Sequence, residues 1–228
     1  MLKSAAAEAL GTALLLAAVV GSAIMGERLA QGNFAIALLA NSLATGFALI
    51  ALIVALAPRS GAHFNPAVTL ALWLRGRFAA RWVAPYVVAQ FFGALLGVLA
   101  AHAMFDLALV QASHTPRSGA GQWWSEVVAT FGLVYLVLSL ERRSAWAAPF
   151  AVGSYIAAAY WFTASTSFAN PAVTLARGFT ATFAGIGIAN VPAFIGSQLV
   201  GGALALVADR ALRANPSRRP LSMGDGTQ

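Results

Sequence analysis

Apolar residues fill six long blocks of this chain, divided by short joints that hold most of its Lys and Arg. About 20 mostly apolar residues suffice for a helix to cross a bilayer. The blocks of that size are Ala5–Met25, Phe34–Ala57, Trp82–Phe105, Trp123–Leu140, Ala145–Phe162 and Val191–Leu212. Two further apolar pieces, Pro66–Arg75 and Pro171–Phe179, are only about 9 residues long and cannot span. The pattern predicts an all-α membrane protein with six transmembrane helices and two short helices that dip into the membrane and return.

The two short pieces share the heptad NPAVTLA, at 65–71 and again at 170–176. Asn is a good N-cap, and Pro suits the first helical position because its missing N–H would have no helical partner there. Each copy therefore predicts a helix start. The repeat extends outward. Glu8 leads E-x-x-x-T in the first span and Glu126 leads it in the fourth, while Gln90 leads Q-x-x-G in the third and Gln198 in the sixth. Spans one to three thus match spans four to six. Three is odd, so the second unit lies inverted relative to the first. Inverted repeats of this kind place their site near the bilayer midplane, at broken helices. The expected organisation is one transmembrane domain over 1–214, with repeats at about 5–105 and 123–212, and a disordered cytoplasmic tail at 215–228.

Composition agrees with a membrane protein, since only 9% of residues are charged against about 25% in soluble domains. The net charge of +7 does not indicate nucleic acid, because the basic residues sit between apolar blocks rather than on one face. With six spans both termini share a side. Eleven Lys and Arg fall on that side, and only Arg28, Arg117 and Arg177 fall on the other. The positive-inside rule then makes the termini cytoplasmic in a multi-pass protein of the inner (plasma) membrane. The first block is read as a span, not as a cleaved signal peptide. Cysteine is absent, which excludes thiol chemistry and Cys-type metal sites.

The segments leading into the two short helices, 59–64 and 163–169, must be irregular at membrane depth. Such backbone survives only when buried in protein or lining a wet cavity. Their carbonyls form a ladder of acceptors. The two helix N-termini meet at the centre, each with roughly half a positive elementary charge. Asn65 and Asn170 turn amide N–H groups into the lumen once their oxygens cap the helices. A narrow path that admits neutral solutes and repels cations is the expected result.

SGAHFNPAVTL at 60–70 and FANPAVTLAR at 168–177 resemble the two half-helix motifs of the aquaporin, or major intrinsic protein, family. The resemblance covers the chain from Glu8 to about Ala211. It implies a homotetramer with one pore per subunit, passing water or small uncharged solutes, with Asn65, Pro66, Ala67, Asn170, Pro171 and Ala172 as its pore motifs. Most members carry Arg three residues after the second Asn, where this chain has Val173. The second-span filter position is Thr45, where water-selective members usually carry a bulky aromatic. The fifth-span position is Tyr160 counted from Gly153, or Ala158 counted back from a shortened segment before Asn170. The loop position is Ser167 or Phe168 for the same reason. Thr45 and Val173 imply a wider, less charged constriction that admits glycerol, urea, ammonia, neutral arsenic or antimony hydroxides and methylarsenicals. The Val variant is similar to bacterial aquaporin-like channels associated with arsenic resistance. A water-selective pore is the alternative.

Arg177 lies one helical turn beyond Val173. It either holds its guanidinium at the outer pore mouth or snorkels to the interface. Glu8 and Glu126 are intramembrane carboxylates, which suggests a proton-coupled transporter. Anchoring the N–H groups of the irregular loops accounts for them better. His63 is expected at the inner pore, as a wall or scaffold residue rather than a pH gate. His102 and His114 read as interfacial. Gly93, Gly97, Gly201, Gly202, Gly46 and Gly153 read as helix-packing sites. Trp73, Trp82, Trp123 and Trp124 read as interface anchors, and Trp146 and Trp161 as anchors or internal packing. No nucleophile–base pair, carboxylate dyad or metal spacing occurs, so neither an enzyme nor a cofactor is expected.

Overall fold

A computed structural model describes residues 2–140 and 146–212. The expected start of the fifth span at Ala145 and the expected tail at 215–228 lie outside the described residues. Among the described residues eight α-helices form in this order: α1 (Leu2–Leu29), α2 (Phe34–Ser60), α3 (Pro66–Leu74), α4 (Val83–Met104), α5 (Ala120–Leu140), α6 (Ala147–Phe162), α7 (Pro171–Ala176) and α8 (Val191–Leu212). Helices α1, α2, α4, α5 and α8 are long and apolar enough to cross a membrane. The described part of α6 has 16 residues, roughly 24 Å at 1.5 Å per residue. The side on which α1 starts and α8 ends is here the near side; α3 enters from it, and α7 enters from the far side.

Local chemistry sets the boundaries. Asn33 caps α2, its side chain accepting from the N–H groups of Ala35 and Ile36 at 3.1 and 3.3 Å. Asn33→Ala should cost about 1 kcal/mol, a typical loss for such a cap, read as a lower unfolding midpoint in detergent. Gly61 ends α2 in the left-handed conformation, with its N–H on the Ala57 carbonyl. This is the usual glycine stop, and it turns the chain into the first irregular segment.

The packing follows the inverted repeat. Helix α1 lies against α2 and α4, and α5 against α6 and α8 in the same way, while α2 and α6 meet across the pseudo-two-fold axis. Small residues permit these approaches. A Cβ on Gly93 would sit 2.2 Å from the Ala9 carbonyl oxygen, and one on its repeat mate Gly201 would sit 2.4 Å from that of Val127. With lipid outside there is little hydrophobic drive between helices, so close van der Waals contact carries the association. The outer surface is correspondingly apolar, with Leu10, Leu39, Phe47, Val88, Phe92 and Leu204 all exposed. Trp123, Trp124 and Trp146 are also exposed, whereas Trp161 adds an inward tie from its indole N–H to Ser42 Oγ at 3.0 Å.

One expectation is corrected. His102 is not interfacial. It is fully buried, with Nδ1 2.8 Å from the Leu109 carbonyl and Nε2 2.7 Å from Thr180 Oγ1. A carbonyl only accepts, so Nδ1 carries the proton. At the end of α3, Arg75 Nε donates to Asp209 at 2.7 Å and ties α3 to α8.

Candidate functional site

Asn65 and Asn170 cap α3 and α7 from extended backbone. Asn65 Oδ1 accepts from Ala67 N–H at 2.8 Å, and Asn170 Oδ1 accepts from Ala172 and Val173 at 3.0 and 3.3 Å. Each side-chain nitrogen then reaches the opposite repeat. Asn65 Nδ2 donates to the Ala169 carbonyl at 2.7 Å, and Asn170 Nδ2 to the Phe64 carbonyl at 2.8 Å. An amide nitrogen has two hydrogens, so one N–H per Asn is committed to this cross-brace. The second is left for the cavity that both residues line. The carbonyl ladder is likewise shorter than expected, because its innermost oxygens serve the brace. Pro66 and Pro171 line a separate apolar groove on the outer side of the two half-helices.

The irregular segments use backbone that L-residues rarely adopt. Ala62 and Phe64 have φ of 50° and 49°, and their repeat mates Ser167 and Ala169 have 51° and 49°. Left-handed backbone costs roughly 1–2 kcal/mol per residue, so something must hold it. Glu8 accepts from the N–H groups of His63 and Phe64 at 3.0 and 2.7 Å; Glu126 accepts from Phe168 and Ala169, both at 2.9 Å. Gln90 and Gln198 each bridge their glutamate to Thr69 or Thr174, whose hydroxyls donate to the carbonyls of Asn65 or Asn170. Both glutamates are completely buried and lie behind the loops rather than in the cavity. Phe64, which the sequence did not single out, is also buried, and its ring occupies the space left by the missing side chain of Gly11.

One cavity of about 310 Å³ is lined from Leu72 and Arg77 at its near end to Tyr160 and Arg177 at its far end. Its walls are mostly apolar. Leu15, Leu49, Leu133 and Ile156 face it from α1, α2, α5 and α6, and Val68 and Val173 face it from the two half-helices. His63 lines the near half. The single Thr69 proton goes to the Asn65 carbonyl, so His63 Nδ1 donates to Thr69 Oγ1 at 3.1 Å, while its ring packs on Phe78 and Tyr86.

Polar groups gather at the far end. Thr45 Oγ1 and Tyr160 OH are 3.2 Å apart. Tyr160 lines the cavity, whereas Ala158 is exposed on the outer face of α6. Ser167 and Phe168 both line it, and Ser167 Oγ is buried without a hydrogen-bond partner. Arg177 does not snorkel. It is 2% exposed, it lines the cavity, its Nε donates to the Ala184 carbonyl, and its guanidinium lies 3.4 Å from the Phe168 ring centroid. The 180–187 loop folds over it, with Ile186 N–H returning to the Arg177 carbonyl at 3.2 Å. Arg117 approaches the same ring at 5.0 Å. Burial lowers the pKa of Arg117, against the opposing influence of Glu126 and Tyr160; an arginine in a protein nevertheless stays charged. Among the described residues no group of His, Cys, Asp and Glu could hold a metal ion.

A multi-pass helical bundle with two capped half-helices meeting inside one narrow pore is the architecture of a membrane channel. The chain belongs to the major intrinsic protein family, whose profile matches residues 1–164. It is 54% identical over 206 residues to aquaglyceroporin AqpS of Rhizobium meliloti, covering 90% of this chain and 88% of that protein. It is 34% identical to aquaporin Z of Bradyrhizobium diazoefficiens, over 95% of each. The X-ray structure of the aquaglyceroporin from Plasmodium falciparum matches with a TM-score of 0.77 and 20% identity, over 93% of this chain and 97% of that one. At that identity the match speaks for the fold.

Proposed function

We propose that this chain is a passive facilitator of small uncharged solutes: water, glycerol-like polyols and the neutral hydroxides of arsenic and antimony, with methylarsenicals. The observation that carries the reading is the far end of the cavity, where Val173 and Ile156 give an apolar wall and Thr45, Tyr160, Ser167 and Arg177 give hydroxyls and a cation. A polyol or an undissociated metalloid hydroxide needs both kinds of wall. The likeness to aquaglyceroporin AqpS supports the glycerol-like part. Asn65 and Asn170 would hand one N–H each to the passing solute at the midpoint. Glu8 and Glu126 anchor the loops, each accepting three hydrogen bonds from buried donors. His63 acts as near-side scaffold. The termini are cytoplasmic, the membrane is the inner one, and four copies assemble with one pore each.

The test is stopped-flow light scattering on proteoliposomes with water, glycerol and arsenous acid. Permeation of all three is expected. A water-selective pore is the second reading, favoured by the projection of Tyr160, Phe168 and Arg177 into the same mouth; water flux without glycerol or arsenous acid flux would establish it instead.

A further inference from the structure

The two half-helices are identical over seven residues, yet their surroundings differ at one end. In the repeat, Arg177 corresponds to Leu72, Phe168 to His63 and Ser167 to Ala62, and all six line the cavity. The near copy therefore caps, bends and braces itself without an arginine at this position. A buried guanidinium in the far copy is not needed to build a half-helix.

Two arginines bracket Phe168. Arg177 reaches the ring from the end of α7 and bonds the Ala184 carbonyl through Nε. Arg117 comes from the connection between α4 and α5. Its Nε donates to the carbonyl of Gly185, the next residue, at 2.8 Å, and Nη1 donates to the Ser165 carbonyl at 3.2 Å. Its main-chain N–H donates to Asn190 Oδ1 at 3.0 Å. One side chain thus fastens the segment before α7 to the loop after it, with Phe168 between. The Arg177 guanidinium makes no hydrogen bond in the described structure except through Nε, so its terminal N–H groups remain for whatever fills the cavity. Their position depends on the ring they stack upon.

We infer that Arg117 is a specificity-determining residue of the far mouth: it fixes Phe168, and through it the free end of Arg177 across the pore, and adds a second positive charge to a barrier against cations. The inference rests on the channel reading above. Stripping water from a cation already opposes its entry into a mostly apolar path, and fixed positive charge at the mouth adds to that barrier. The near copy lacks this pair at the matching positions, and the two half-helix N-termini add to the barrier from the centre.

The test compares wild type, Arg117→Gln and Arg117→Lys in proteoliposomes. Proton leak is read with an entrapped pH dye under an imposed potential and divided by water flux in the same preparation. Arg117→Gln should raise that ratio about tenfold or more and also raise the ratio of glycerol to water flux. Arg117→Lys keeps the charge without the fork that holds two carbonyls, and should leak more than wild type but less than Arg117→Gln. Equal leak ratios in wild type and Arg117→Gln overturn the inference. So does an Arg117→Lys variant as leaky as Arg117→Gln, because the second charge would then add nothing to the barrier, or one no leakier than wild type, because the hold on Phe168 would then add nothing. If Arg117→Gln fails to fold, Phe168→Leu decides: it removes the ring, retains both arginines and should raise the leak ratio, and an unchanged ratio overturns the inference. A wild type that carries neither water nor glycerol overturns the channel reading and this inference with it. A wild type that carries both, with no change in Arg117→Gln, overturns this inference alone.

Discussion

Val173→Arg lowers glycerol and arsenous acid flux by at least about tenfold, equivalent to about 1.4 kcal/mol on the barrier, while water flux falls by no more than a few-fold. Val173 is buried, lines the cavity and sits on α7 with its N–H held by Asn170. Its side chain therefore projects from a fixed backbone. An arginine there extends a cation toward Thr45 and Tyr160, the two hydroxyls across the pore, and closes the space a polyol needs. It also stands one turn from Arg177, about 5–6 Å away at Cβ. A second cation beside the buried Arg177 guanidinium is repelled by it, so flux must be normalised to folded protein. Undiminished glycerol flux in a folded Val173→Arg variant would move the constriction away from α7.

The second large effect is loss of the fold itself in Glu126→Ala. Three buried donors, the N–H groups of Phe168 and Ala169 and the side chain of Gln198, converge on that carboxylate. Removing an acceptor from a buried donor costs about 1–3 kcal/mol, and three such losses rival the whole stability of a typical protein, about 5–15 kcal/mol. The left-handed residue Ala169 also loses its restraint. Glu126→Ala should fail to give a monodisperse peak in detergent, and no water flux should survive. Glu8→Ala should behave alike by pseudo-symmetry. A relay carboxylate makes the opposite prediction, namely a folded, thermally normal protein with altered proton flux. Finding that would sink the anchoring role.

The half-helices were legible because their signals are local. Asn-Pro at a helix start, repeated with its flanks, states the cap, the break and the inversion within a few residues. What escaped was decided by contacts distant in sequence. Arg177 is a different case, because the sequence left the pore mouth and snorkelling both open and its partners are near in the chain. Only the fold of the 180–187 loop, with the Ala184 carbonyl and Ile186 N–H on either side, reveals that it is enclosed. Arg117 looked like one more outer charge, since its partners lie 48 to 73 residues away. His102 was misread for the same reason, as Thr180 is 78 residues distant. Counting also fails between elements. The repeat offset is 118 for Glu8 and Glu126 but 105 for Asn65 and Asn170, because connections differ in length. A filter position on α6 counted from Asn170 therefore lands on exposed Ala158, and counted within its own helix lands on Tyr160.

The cross-brace between the half-helices has a bearing on biosynthesis. Phe64 is synthesised long before Asn170 leaves the ribosome, yet its carbonyl oxygen takes its hydrogen from that residue. Asn65 must likewise wait for the Ala169 carbonyl. The first three-span unit is therefore inserted with its innermost turn unfinished. The two units mature together in a late step that neither can take alone, and severing the chain between α4 and α5 should leave two fragments that gain protease resistance only when co-expressed.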